Sequence, residues 1–308
     1  MNLKKIITIV ICFLFYTCSV KKETTSEVKS IPDFSTHRTE DYKLVSPDDP
    51  EGLLILFPCY PCDVDNTESE FKILEVALEN HISVLMMNFN QHLWLTQEEK
   101  KYLESILISA IRKYSLNSSN TVIGGFSSGG TVSMLLTDYL KASNSSIQPK
   151  GVFIADSPVD LMGLYDNAQK NIEKNFSEVA VQEANWIVDL FNREFGVGDS
   201  SLVHYEDKSL YLSKTHNTAN LANLNDVQIR LYSEPDTTWW KVNRQADYED
   251  MNAYYIEQMS FDLIKLYGEK YVKYIKTENR GYRANGDRHP HSWGIIEEKN
   301  LIDWMLSR

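Results

Sequence analysis

From residue 44 onward, short wholly apolar runs alternate with stretches of helical periodicity. A run that is apolar on both faces belongs inside a parallel sheet, and parallel neighbours need a crossover, usually a helix. Leu53–Phe57 is such a run, following the turn cluster Pro47-Asp48-Asp49-Pro50; Gly151–Ala155 repeats it, and Ile82–Phe89, Thr121–Phe126 and Val227–Tyr232 are further predicted strands. Tyr271–Lys276 alternates like an outer strand. The intervening periodicity predicts helices over Glu68–Glu79, Gly129–Ala142, Glu178–Phe195 (closed by Gly196), Asp250–Tyr267 and Ile295–Leu306. Another is opened by Thr96 and Glu99, spaced as a capping box, with Leu103, Leu107, Ala110 and Tyr114 on one stripe. The alternation breaks at about 160–225, which reads as a helical insertion too long for an ordinary loop.

The ends and the charge narrow the class further. Lys4 and Lys5 precede an apolar run from Ile6 to Tyr16, the layout of a secretory signal and too short to span a bilayer comfortably. The run ends at Cys18, and Leu14–Ser19 resembles the lipobox of bacterial lipoproteins, with Cys18 as the lipidated residue. Residues 1–17 are thus read as a signal, 18–43 as a lipidated Cys with a flexible Ser/Thr/Lys/Glu-rich tether, and 44–308 as the folded domain. The expected location is the bacterial cell envelope, through a lipid anchor in the membrane, or secretion. With 31 Lys+Arg against 43 Asp+Glu, a net charge of −12 argues against nucleic acid as a partner. Four cysteines are too few for a disulfide scaffold.

Gly124-Gly125-Phe126-Ser127-Ser128-Gly129-Gly130 contains G-x-S-x-G, placed between a predicted strand and a predicted helix. A sharp strand-to-helix turn needs small residues at both glycine positions, and it lifts the Ser127 hydroxyl off the sheet edge above a helix N-terminus that favours developing negative charge. A serine nucleophile needs a base, and the base needs an acid to orient it. In the chain order Ser, acid, His, Asp236 lies just past the strand Val227–Tyr232, with Glu234 as the competing acid. His291 leads into the closing helix and is the preferred base, with His289, held extended by Pro290, as the alternative.

On these residues the chain resembles the α/β-hydrolase superfamily, over roughly residues 44–308 by element order. The resemblance implies an α/β-hydrolase fold: a mostly parallel central sheet, flanking helices, and a helical cap at about 160–225. It implies a serine hydrolase that cleaves a carboxyl ester or a short peptide or amide through an acyl-enzyme. Ser127 would attack, His291 carry the proton and Asp236 hold the imidazole. The Ser128 N–H would be one oxyanion donor. The other departs from the family pattern: the first strand runs into Phe57-Pro58-Cys59-Tyr60-Pro61-Cys62, and Pro58 has no N–H, so Cys59 or Tyr60 must supply it. One or two strands fit before Leu53, so the first sheet edge is expected to be reduced.

Cys59-x-x-Cys62 admits a structural disulfide, spare thiols or a redox pair. No cofactor is expected, and with no second cysteine pair zinc is not expected either. Trp239 and Trp240 are candidates for a substrate pocket, or for packing the cap on the sheet. Arg280, Arg283 and Arg288 precede the histidine loop. A solvated basic loop is the plainer reading of them, and contact with a substrate carboxylate the other. The rival readings of the whole chain are a non-catalytic binding protein on the same fold and a thiol oxidoreductase using Cys59 and Cys62.

Overall fold

The computed structural model describes residues 31–89, 93–197 and 201–307. The elements, in chain order, are β1 (Phe34–Arg38), β2 (Tyr42–Pro47), β3 (Gly52–Phe57), α1 (Val64–Glu70), α2 (Ile73–Glu79), β4 (Ile82–Met87), α3 (Gln97–Lys113), β5 (Thr121–Phe126) and α4 (Ser128–Ala142). They continue with β6 (Gly151–Ala155), α5 (Leu161–Lys174), α6 (Glu178–Phe195), α7 (Leu202–Lys208), β7 (Gln228–Ser233), α8 (Thr237–Arg244), α9 (Asn252–Tyr267), β8 (Val272–Lys276) and α10 (Glu298–Leu306). The strands form an eight-stranded sheet in the order β1-β2-β4-β3-β5-β6-β7-β8. The first two pairings are antiparallel, and every pairing from β4 to β8 is parallel. This is the α/β-hydrolase fold that the element order predicts.

The alternation along each central strand divides the core into two layers. Leu53, Ile55 and Phe57 of β3 face α3, α4, α9 and the insertion, packing with Leu107, Leu135, Met259 and Phe191. Leu54 and Leu56 face the other way, onto Ile73 and Ala77 of α2 and Ile302 and Met305 of α10. β3, β4, β5 and β6 are therefore buried along their whole length, which is why their sequences are apolar without a polar face.

The predicted strands and most predicted helices are present. Thr96 closes its capping box with Glu99, and Gly196 ends α6 at a φ of 76°. Three readings are corrected. The helix expected over Glu68–Glu79 is two, α1 and α2, because Phe71 is extended (φ −109°, ψ 102°) and turns its ring into the core against Trp293. α8 was not foreseen; its N-terminus is capped by Asp236, whose carboxylate accepts the Trp239 N–H at 2.9 Å. The first sheet edge is not reduced: β1 and the start of β2 lie inside the stretch 18–43, so that part of the expected tether is sheet. Tyr42 and Leu44 of β2 are buried because they pair beside Met87 and Leu85 of β4 and join the same core layer. The signal and Cys18 lie outside the described residues. The insertion at 160–225 is helical as expected, supplying α5, α6 and α7 between β6 and β7. Among the described residues, no helix is long and apolar enough to cross a membrane.

Candidate active site

Ser127 sits at the turn from β5 into α4 with φ 54° and ψ −128°. An L-residue rarely adopts this conformation. Its N–H donates to the Ala155 carbonyl at 2.9 Å, and its carbonyl accepts the Gly130 N–H at 3.0 Å. The two motif glycines are needed for close approach. A Cβ at Gly125 would lie 2.3 Å from Gly129 backbone, and one at Gly129 would lie 2.3 Å from the Pro58 carbonyl oxygen. Ser128 is the first residue of α4, so its N–H has no acceptor within the helix.

Of the two candidate bases, His291 is the one held by an acid, and the acid is Asp156. The His291 Nδ1 lies 2.6 Å from Asp156 Oδ2. The Phe126 ring packs against the imidazole, with centroids 4.5 Å apart. Asp156 follows β6 directly and is 5% exposed. Its own N–H donates to the Tyr232 carbonyl at 2.9 Å, and its carbonyl accepts from Asn252. Register explains the position: Ala155 pairs with Phe126, so Ser127 and Asp156 leave neighbouring strands at one level.

The expectation that Asp236 holds the imidazole is therefore wrong. The turn through Pro235 carries Asp236 away into the N-cap of α8, and its other oxygen takes the Arg288 guanidinium at 2.7 Å. Glu234, the alternative acid, is not beside a histidine either. It is 3% exposed, accepts the N–H groups of Arg280 and Gly281 at 2.9 Å, and pairs with Arg288 at 2.5 Å. Both acids anchor the loop that carries His291. Arg288 completes that anchor by donating to the Gly281 carbonyl. The acid that sequence reasoning missed had a signal, an Asp directly after the wholly apolar run Gly151–Ala155.

His289 does not face a carboxylate. Its ring packs at a tilt against Trp239, centroids 4.8 Å apart, and lies 6.3 Å from the His291 ring. Burial, then the neighbouring His291, Arg283 and Arg244, push its pKa down from 6.5 to about 3, so the ring is neutral at physiological pH.

Ser127, Ser128, Asp156, His289 and His291 line one cavity of about 490 Å³, together with Cys59 and Tyr60. Phe57 pairs with Gly125, which sets the loop after β3 against the serine turn. Both candidates for the second oxyanion donor thus border the site. Cys59 and Cys62 are bonded as a disulfide, with Cα atoms 5.0 Å apart. The Tyr60 ring stacks on Trp186 of α6 at 4.6 Å, nearly parallel, so this loop also touches the cap. Trp240 lines the cavity, whereas Trp239 is not among the lining residues and packs on Trp240 and His289.

No protein-family model matches the sequence, and no curated protein sequence is similar to it. Solved structures are similar in fold. An S-formylglutathione hydrolase from Agrobacterium tumefaciens superposes with a TM-score of 0.52 at 12% identity, covering 88% of this chain and 93% of that one. An esterase/lipase from an uncultured bacterium gives a TM-score of 0.55 at 11% identity, covering 90% and 86%. FphF, a fluorophosphonate-binding serine hydrolase of Staphylococcus aureus, gives 0.50 at 12% identity, covering 90% and 98%. At these identities the likeness shows the α/β-hydrolase fold.

Proposed function

We propose that this protein is a serine hydrolase that cleaves a carboxyl ester or a short amide through an acyl-enzyme. The observation that carries the reading is Ser127 on its strained turn, bordering the same cavity as a histidine held by a buried aspartate. Ser127 Oγ attacks the carbonyl carbon while His291 Nε2 takes its proton. Asp156 fixes the Nδ1–H tautomer and offsets the imidazolium charge. The oxyanion accepts from the Ser128 N–H and from the N–H of Cys59 or Tyr60. Collapse breaks the bond to the alcohol or amine, which leaves with the proton from His291. Water then attacks the acyl-enzyme by the same route and restores the serine. The esterase and serine hydrolase names of the similar structures agree with this reading.

Labelling of the purified protein by a fluorophosphonate probe tests it. Wild type labels, Ser127→Ala does not, and Asp156→Asn slows labelling by about 10⁴-fold by disturbing the imidazole tautomer. Asp236→Asn slows it far less. No labelling of folded wild type overturns the reading in favour of a non-catalytic binding protein, and equal loss in both aspartate variants overturns the assignment of Asp156.

Lipid anchoring at Cys18 belongs to the same proposal, supported by the charged start, the apolar run and the polar stretch after it. A Cys18→Ser chain then leaves the membrane fraction; unchanged partitioning sinks the idea.

A further inference from the structure

We propose that the substrate of this cavity carries a carboxylate, held at the wall formed by Arg244, Arg283 and His289. The inference rests on the hydrolase reading and names its substrate class.

Arg244, at the end of α8, and Arg283, in the loop before His289, both line the cavity that Ser127 borders. Neither makes an ion pair with a described residue. Arg288, in the same loop, is fully engaged by Glu234 and Asp236. The contrast separates the arginines that build the loop from those that face the cavity. The carboxylates of the cavity are engaged elsewhere or make no ion pair with these two. Asp156 holds His291, and Asp250 takes Lys170 at 2.7 Å and Lys174 at 3.3 Å. Glu70 accepts the Ala284 N–H at 2.9 Å. Glu183 stands exposed on α6 and is not within ion-pair distance of either arginine. In a chain of net charge −12, two guanidiniums that make no ion pair with a described residue stand at one cavity wall.

Polar groups without partners point the same way. Among the described residues, neither ring nitrogen of His289, nor Ser292 Oγ, nor Trp293 Nε1 has a hydrogen-bond partner, and all three residues line the cavity. A buried polar group without a partner is rare, and one in a residue that lines a cavity is placed to receive a partner from it. Guanidiniums beside neutral N–H and O–H donors suit a planar, two-oxygen anion. His289, kept neutral by burial and the flanking cations, adds a donor without a further charge. Its ring lies 6.3 Å from that of His291, so the anion binds close to the reacting bond and the spacer between carboxylate and carbonyl is short.

The test compares matched esters: mono-p-nitrophenyl glutarate with its methyl ester, and 4-carboxyphenyl butyrate with its methyl ester. The first pair places the charge on the acyl side, the second on the leaving group. At least one anionic ester is expected to exceed its neutral partner in kcat/KM by about tenfold, mainly through KM. In Arg244→Gln/Arg283→Gln that ratio falls to near one, whereas Arg112→Gln, an exposed arginine on α3, leaves it unchanged. Glutarate alone is expected to raise the Tm of wild type and not of the double variant. Ratios at or below one in both pairs, with no glutarate shift, overturn the carboxylate site while the hydrolase stands. Absent fluorophosphonate labelling overturns the hydrolase, and the glutarate shift then decides the anion site alone.

Discussion

Ser127 holds a positive φ of 54°, a conformation that costs an L-residue about 1–3 kcal/mol. The surrounding contacts impose it: the turn is clamped between the Ala155 carbonyl and the first turn of α4. Ser127→Gly should therefore raise stability by about 1 kcal/mol in a denaturant titration while abolishing labelling. A drop in midpoint would show that the turn is unstrained. His289 makes a second prediction at this scale. Its ring titrates near 6.5 unfolded and at about 3 folded. Between those values the unfolded chain binds the extra proton, so the contribution of His289 is complete above pH 6.5 and is lost as pH falls toward 3. His289→Gln should flatten that limb of the Tm-against-pH curve relative to wild type; parallel curves would refute it.

The loop after β3 is the element where chemistry and architecture meet. It packs against Gly129, carries Cys59 and Tyr60, the two proposed oxyanion donors, and reaches the cap through the Tyr60–Trp186 stack. The Cys59–Cys62 bond closes a very short ring, which restricts the unfolded chain little. Reduction with dithiothreitol should accordingly move Tm by little but slow fluorophosphonate labelling severalfold, because the donor N–H loses its fixed position. A large fall in Tm with unchanged labelling would reverse this assignment and make the bond a staple of the fold.

At the scale of the whole molecule, β1 and β2 cover the outer side of β4, whose residues Ile82–Met87 are buried throughout. A chain begun at Leu44 loses β1 and the Tyr42–Met87 and Lys43–Met86 pairings, and exposes the row of backbone groups on β2 that β1 now occupies. It should aggregate or unfold at a clearly lower temperature than one begun at Ile31. Equal Tm and solubility would mean that the sheet does not need this edge. The same view explains the site: Ser127 and Asp156 exit adjacent parallel strands at one sheet edge, and the anchored loop after β8 brings His291 to them.

Apolar runs and helical stripes are local properties of the chain, and they determined the parallel sheet, its crossover helices, the cap and the serine turn before any contact was known. Ser127 was legible because a strand-to-helix turn with glycines on both sides is written in consecutive residues. The partner acid was not, since Asp236 comes shortly after the predicted strand Val227–Tyr232 and Asp156 directly after Gly151–Ala155, and consecutive residues do not say which of them meets a histidine. Tertiary structure decided between them: lateral register sets Asp156 beside the serine turn, while Pro235 and the cap of α8 divert Asp236 to Arg288. The choice of His291 over His289, the early start of the sheet and the separation of Arg244 and Arg283 from Arg288 were decided in the same way. Each depends on which charged groups distant segments bring within a few ångströms, and that distance is a property of the folded chain.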